Sequence, residues 1–176
     1  NGRRRQRQMC IRDRSLFMCH VASSCLLQGR NVLYITCEMA EEKIAERIDA
    51  NLLDIPIQQL QDPLLTKQKY RAKMDVLKKK TQGKLVIKEY PTASAHVGHF
   101  KALLNELSLK KGFHPEIIFV DYLNICASSR YKGTIVNSYT YVKAIAEELR
   151  GLAGEYNVPI LSLSLIHISE PTRQSL

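Results

Sequence analysis

Four short runs of apolar, β-favouring residues punctuate the chain, each placed shortly after a helix breaker. Residues 32–36 (Val-Leu-Tyr-Ile-Thr) follow Gly29, residues 85–87 follow Gly83, residues 117–120 follow Pro115, and residues 160–161 follow Pro159. Runs this short and this continuous predict strands covered on both faces rather than half-exposed ones. Between them, apolar positions recur at the helical period. Ile44, Ile48 and Leu52 form one stripe, Tyr70, Met74 and Leu77 a second in a Lys-rich stretch, and Phe100, Leu103, Leu104 and Leu107 a third. The cleanest is Val142, Ile145, Ala146, Leu149, Leu152 and Ala153. Residues 16–28 contain no breaker and predict a helix ahead of the first strand. Strands alternating with helices predict an α/β fold, a mostly parallel sheet flanked by helices and joined by right-handed crossovers. Residues 127–137, with Arg130, Lys132 and Gly133 and no periodicity, predict a surface loop after the third strand.

Composition narrows the classes. With 176 residues, 45% of them hydrophobic and 24% charged, the chain can bury a core of its own, which excludes wholesale disorder. No apolar run reaches the roughly 18 residues that span a bilayer, and no apolar stretch follows the Arg-rich start, so neither a membrane span nor a secretion signal is expected. Five cysteines (Cys10, Cys19, Cys25, Cys37 and Cys126) form no CxxC pair and lie mostly within apolar runs. They predict buried, reduced thiols and a cytoplasmic location.

The net charge of +9 is concentrated in a tail, because residues 1–14 hold six arginines against Asp13 alone. Those ends look foreign. Met9-Cys10-Ile11-Arg12-Asp13-Arg14 can be encoded by a DNA string whose reverse complement, read one base later, translates as Leu163-Ser164-Leu165-Ile166-His167-Ile168. Antisense readings of one string resemble translated sequencing-adapter ends. The competing reading is a basic nucleic-acid arm and an irregular tail. The adapter reading divides the chain into a tail over 1–14, a partial domain over 15–162 and a second tail over 163–176, with the domain cut at both ends.

Candidate chemistry lies at the carboxyl ends of the predicted strands, where open parallel sheets gather ligands. Glu38 lies two residues beyond the run ending at Thr36, and Asp121 directly follows the run 117–120. A hydrophobic strand ending in Asp fixes a hard oxygen ligand, the pattern by which nucleotide hydrolases hold Mg²⁺, although a strand-end Asp also serves as a cap or turn former. No G-x-x-x-x-G-K-[ST] phosphate loop occurs. Ser15 stands where that loop's final hydroxyl residue would open the first helix, or is a plain N-cap. His20, His96, His99, His114 and His167 have no ligand spacing and read as ordinary surface or core histidines. Lys78-Lys79-Lys80 reads as a solvated helix end. Tyr131, Tyr139 and Tyr141 near Arg130 and Lys132 fit either a base-stacking, phosphate-contacting loop or a merely packed one.

Cys37-Glu38-Met39 after a strand, Glu41-Glu42, Arg47-Ile48-Asp49-Ala50-Asn51, and much later Ile118-Phe119-Val120-Asp121-Tyr122-Leu123 together resemble the motor domain of DnaB-type replicative helicases. Within that family the likeness is to the replicative helicases of tailed bacteriophages. Asn137-Ser138-Tyr139, the helix over 142–150 and Asn157-Val158-Pro159-Ile160 fit in the same order, so the resemblance covers nearly all of 15–162. It implies a RecA-like P-loop NTPase sheet and an ATP-dependent 5′ to 3′ DNA helicase that unwinds the replication fork while translocating on single-stranded DNA. It also implies ATP and Mg²⁺ as cofactors, a homohexameric ring, primase and helicase-loader partners, and the host cytoplasm for a phage protein. Residue by residue, Glu38 would orient or deprotonate the attacking water, Asp121 would hold Mg²⁺ through its water shell, and Ser15 would be the hydroxyl ligand of that ion beside the nucleotide. Arg130 and Lys132 become candidate DNA contacts. Departures matter: Arg14 stands in place of the loop lysine, Leu165 in place of the family's glutamine, and the arginine finger and main DNA-binding loop would fall beyond the C-terminal cut. The chain by itself is therefore expected to be inactive. A different class, a non-catalytic α/β nucleotide- or protein-binding module of flavodoxin-like shape, would use Glu38 and Asp121 structurally.

Overall fold

The computed structural model describes residues 2–60, 71, 72, 74–77, 83–91, 94–131 and 138–163. Helix α1 (Gly2–Leu27) precedes strand β1 (Val32–Thr36), helix α2 (Glu41–Leu53) and a single helical turn, α3 (Ile57–Leu60). Strand β2 (Leu85–Glu89), helix α4 (Val97–Lys111) and strand β3 (Ile117–Asp121) follow, then a 3-10 turn (Leu123–Ile125), helix α5 (Ser138–Tyr156) and strand β4 (Ile160–Ser162). The four strands form one parallel sheet in the order β2-β1-β3-β4. All four predicted strands are present, three of them longer than expected by one or two residues, and Asp121 belongs to β3 itself.

Both faces of the sheet are covered, which is why its central strands read as unbroken apolar runs. Every residue of β1 is buried, whereas the edge strands β2 and β4 are only half-covered. Side chains alternate by the pleat. Val32, Tyr34 and Phe119 face Met18, Cys19, Ala22 and Leu26 of α1 and Ile44 and Ile48 of α2. Leu33, Ile35, Ile118 and Val120 face Phe100, Leu103, Leu104 and Leu107 of α4 and Ile145, Leu149 and Leu152 of α5. The chain leaves β1 for β2 through α2 on one face and returns to β3 and then β4 through α4 and α5 on the other. That is the path right-handed crossovers dictate.

Two expectations need correction. The first helix does not open at Ser15: α1 is continuous from Gly2, so Ser15 lies in its interior and is not an N-cap. Residues 3–14 contain neither Gly nor Pro and are rich in Arg and Gln, good helix formers that let the helix propagate backward. At its other end α1 stops where Gly29 takes φ +82°, with the Gly29 and Arg30 N–H groups donating to the carbonyls of Leu26 and Cys25. The second correction concerns α5. Ala146 is exposed, and Glu148 takes its place on the buried face beside Ala144, Ile145 and Leu149. A buried carboxylate is tolerated there because hydrogen bonds satisfy it, as described below. Tyr70 and Lys78-Lys79-Lys80 lie outside the described residues.

Candidate functional site

The carboxyl ends of β1 and β3 are in register, Thr36 opposite Asp121, and the Cys37 N–H continues the ladder by donating to the Asp121 carbonyl at 3.0 Å. Glu38 follows in a tight turn built by Thr36. The Thr36 hydroxyl accepts from the Met39 N–H at 3.0 Å and donates to the Met39 carbonyl at 2.9 Å, leaving Glu38 exposed at the rim. Two carboxylates from neighbouring strand ends thus share one edge of the sheet, as their sequence positions predict.

Asp121 is 3% exposed. Period two aims its side chain toward α1, where the Tyr34 hydroxyl donates to Oδ2 at 2.9 Å. The Cys19 thiol of α1 donates in turn to the Tyr34 oxygen at 3.9 Å. Burial dominates the titration of this chain of groups, pushing the Cys19 thiol up to about 11 and the Tyr34 phenol well above its ordinary value. Ser15, also buried, lies one helical turn before Cys19 on the same face of α1, which puts its hydroxyl on the Asp121 side of the sheet. Tyr122 joins the two carboxylates. Its phenol is raised first by burial and then by the negative charges of Glu38 and Asp121, against an opposing pull from Arg14. Glu38, Asp121 and Arg14 are therefore all close enough for their charges to act on the Tyr122 phenol.

Two guanidinium groups complete the surroundings: Arg14, which the sequence sets in place of the loop lysine, and Arg47, to which the sequence alone assigns no role. Nη1 of Arg14 and Nη1 of Arg47 are buried without a hydrogen-bond partner among the described residues. Arg47, on α2, is close enough to Cys19 for its charge to pull the thiol down against burial. A buried cationic donor with no acceptor is costly and is relieved by an anion. For Arg47 the sequence signal is its place beside the Ile44–Ile48 stripe, where a helix of this period predicts partial cover.

The donor set consists of hard oxygens from Asp121, Ser15 and Glu38 with positive charge from the two arginines, which fits Mg²⁺ carried by a polyphosphate. Among the described residues no three His, Cys, Asp or Glu side chains converge on one point. His96 and His99 have a structural role instead. Nδ1 of His96 accepts from the Gly98 N–H at 3.0 Å and Nδ1 of His99 accepts from the His96 N–H at 3.3 Å, a reciprocal cap on α4. His20 pairs with Oδ1 of Asn51 at 3.0 Å.

Arg130 is not drawn into this cluster. It lies against α5, on the opposite face of the sheet from α1, where Nη1 pairs with Glu147 at 2.9 Å. Tyr141 is half-buried and accepts from the Ser128 N–H at 3.0 Å, whereas Tyr139 is exposed. Lys132 and His167 lie outside the described residues.

The family model described as the DnaB-like helicase C terminal domain matches residues 13–175. The DnaB-like replicative helicase of Enterobacteria phage T4 is 52% identical over 143 residues, covering 81% of this chain and 30% of that protein. A probable plasmid replicative DNA helicase of Chlamydia trachomatis is 31% identical over 139 residues, covering 78% of this chain and 29% of its own length. The chain thus spans about 30% of the length of these relatives. Two solved structures share the fold at 16% identity: a DnaB-like replicative helicase studied with primase (TM-score 0.64, 85% of this chain and 35% of that one) and an isolated ATPase domain (TM-score 0.65, 85% and 52%).

Proposed function

The chain belongs to the DnaB-like helicase C-terminal domain family, and from that premise we propose that it is part of the ATP-driven motor of a replicative DNA helicase. The whole protein would couple Mg-ATP hydrolysis to 5′ to 3′ translocation on single-stranded DNA, working as a homohexamer in the cytoplasm with primase and a loader as partners. One observation carries this reading above a passive α/β module. Thr36 and Asp121 end in-register strands with Glu38 two residues beyond Thr36, and guanidinium nitrogens of Arg14 and Arg47 are buried without a partner among the described residues.

In this reading Asp121 and the Ser15 hydroxyl would hold Mg²⁺, which would supply positive charge to the nucleotide's phosphates. Tyr34 keeps Asp121 oriented by occupying Oδ2, which leaves Oδ1 to face the ligand. Glu38, exposed at the rim, accepts a proton from the attacking water or aligns it, a task that suits a carboxylate within reach of solvent. Arg14 and Arg47 supply positive charge to phosphate oxygens. Arg130, which lies against α5, and Lys132 contact the DNA backbone.

Ser15 sits inside a continuous helix with no glycine loop before it, so this chain alone lacks the backbone donors that cradle phosphates and does not turn over ATP. Right-handed crossover requires a strand feeding α1 from such a loop to lie beyond β4. Residues 15–162 are the motor segment in this proposal, with 1–14 and 163–176 as adapter-derived ends. The test is a protein in which a G-x-x-x-x-G-K loop and its strand precede Ser15 and the family's C-terminal segment follows residue 162. It is expected to show DNA-stimulated ATPase activity that Glu38→Gln abolishes while Mg-ATP binding survives. Full turnover by that Glu38→Gln protein would overturn the role of Glu38, and no turnover by its parent would favour the non-catalytic module.

A further inference from the structure

Two adjacent acids on α5 hold the segment after β3 in different ways. Glu148 is 9% exposed, and its carboxylate accepts four hydrogen bonds from three successive residues. Ser128 Oγ donates to Oε1 at 2.7 Å and the Arg130 N–H to the same oxygen at 3.4 Å, while the Ser129 N–H and Oγ donate to Oε2 at 3.1 and 2.8 Å. Upstream, the Ala127 N–H donates to the Ala95 carbonyl, the Cys126 N–H to Leu123, and the Leu123 N–H to Leu163 beyond β4. The backbone from Asp121 to Arg130 is therefore anchored at several points, and a side chain carried at its end keeps a fixed place relative to the strand-end site. The Arg130 side chain is held far more loosely. It is 57% exposed in its pair with Glu147, which is 44% exposed itself. Such a pair contributes little and exchanges readily for another anion.

We propose that Glu148 is a positioning residue that presents Arg130 to a single-stranded DNA phosphate, and that Glu147 is a tethered competitor the DNA must displace. The proposal rests on the reading of Arg130 as a DNA contact. It gives neighbouring carboxylates effects of opposite sign, which a uniform electrostatic repulsion between acids and DNA does not. Glu147→Gln frees the guanidinium and tightens binding, by no more than about fivefold for an exposed pair. Glu148→Gln keeps the volume but turns an amide donor toward N–H and hydroxyl donors, so the segment loosens and binding weakens.

The test uses the 176-residue chain, a labelled oligothymidylate, anisotropy titrations over a salt series, and amide exchange at Ser129 and Arg130. Arg130→Ala is expected to weaken binding and reduce the slope of log K against log salt by about 0.7. Glu147→Gln should tighten binding, and Glu148→Gln should weaken it while speeding exchange at both amides. An Arg130→Ala chain with unchanged affinity and slope, or no binding by the parent chain, would remove the DNA-contact reading. If Arg130→Ala weakens binding but the two glutamate variants shift affinity in the same direction or not at all, the contact stands and the proposed division of roles is overturned. Ser129→Ala, which removes one donor and keeps the carboxylate, carries the same expectation as Glu148→Gln to a smaller degree and serves if that variant does not fold.

Discussion

The Tyr34 hydroxyl donates to Oδ2 of Asp121 at 2.9 Å, joining β1 to β3 inside the sheet at the edge where the candidate site lies. Tyr34 also stacks on Phe119 of β3, ring centroids 5.7 Å apart and planes 11° from parallel. Tyr34→Phe preserves the ring and its packing, so it isolates the hydrogen bond. Leaving a buried carboxylate oxygen without that donor is expected to lower stability by about 1–3 kcal/mol. The check is the denaturant midpoint at unchanged slope. An unchanged midpoint would mean that another donor takes over.

The two sides of α4 should respond very differently to truncation. Phe100 is 1% exposed between the sheet and Tyr90, whereas Leu109 is 86% exposed. Phe100→Ala removes a filled volume that the helix cannot close and should cost about 3–5 kcal/mol. Leu109→Ala should change stability by less than about 0.5 kcal/mol. Thermal or chemical unfolding of both variants checks the contrast.

Much of this core was legible from spacing alone. The strand runs and the 100, 103, 104, 107 stripe specify their elements because burial on both faces and a 3.6 period leave direct marks on residue type. Glu38 and Asp121 could be placed at one sheet edge for the same reason, since a strand end is visible as the end of an apolar run. Tyr34 could not be paired with Asp121, because their partnership depends on register between strands separated by more than eighty residues (|i−j| = 87). Glu148 was hidden differently. A charged residue on a helix predicts the exposed face, and only the donors of residues 128–130, which approach through tertiary structure, reverse that expectation. The start of α1 is not legible because Ser15 has the chemistry of a cap, while nothing in residues 3–14 stops a helix.

The reciprocal histidine cap makes α4 sensitive to side-chain chemistry at position 96. His96→Ala removes the acceptor for the Gly98 N–H and should cost about 0.5–2 kcal/mol. His96→Ser, which supplies a hydroxyl acceptor of the usual N-cap type, should recover most of that loss. Equal destabilisation in both variants would place the role of His96 in its ring contact with His99, whose centroid is 4.0 Å away, rather than in the cap.

Glu148 should also shape the acid limb of the stability curve. Burial pushes its carboxyl up, but the hydroxyls of Ser128 and Ser129 and the N–H groups of Ser129 and Arg130 outweigh burial and hold it below its ordinary value of 4.5. A carboxylate depressed in the folded state adds stability that is present above that ordinary value and is lost as pH falls through the folded one. Glu148→Gln should therefore lower stability at neutral pH and flatten its fall below about pH 4.5. Unfolding midpoints between neutrality and pH 3 for the two proteins check this, and parallel curves would show that Glu148 does not titrate with folding.

The continuity of α1 sets the last expectation. In a helix the N–H of Ser15 is bonded to the carbonyl four residues earlier, so it is unavailable to a phosphate, and charge from Arg14 and Arg47 must act without backbone donors. Mg-ATP should accordingly bind this chain weakly, through charge, and its affinity should fall steeply with salt. Replacing residues 8–14 with a G-x-x-x-x-G-K sequence should end the helix at Ser15, expose the first-turn N–H groups and raise affinity. Each charge-assisted hydrogen bond gained contributes about 1.5–3 kcal/mol, so tenfold or more per donor is the expected scale. Calorimetric titration with Mg-ADP compares the two proteins, and a circular dichroism spectrum that loses helical signal confirms that the break has been made. Equal affinities despite the shortened helix would mean that Arg14 and Arg47 already satisfy the phosphates and that the backbone cradle is dispensable here.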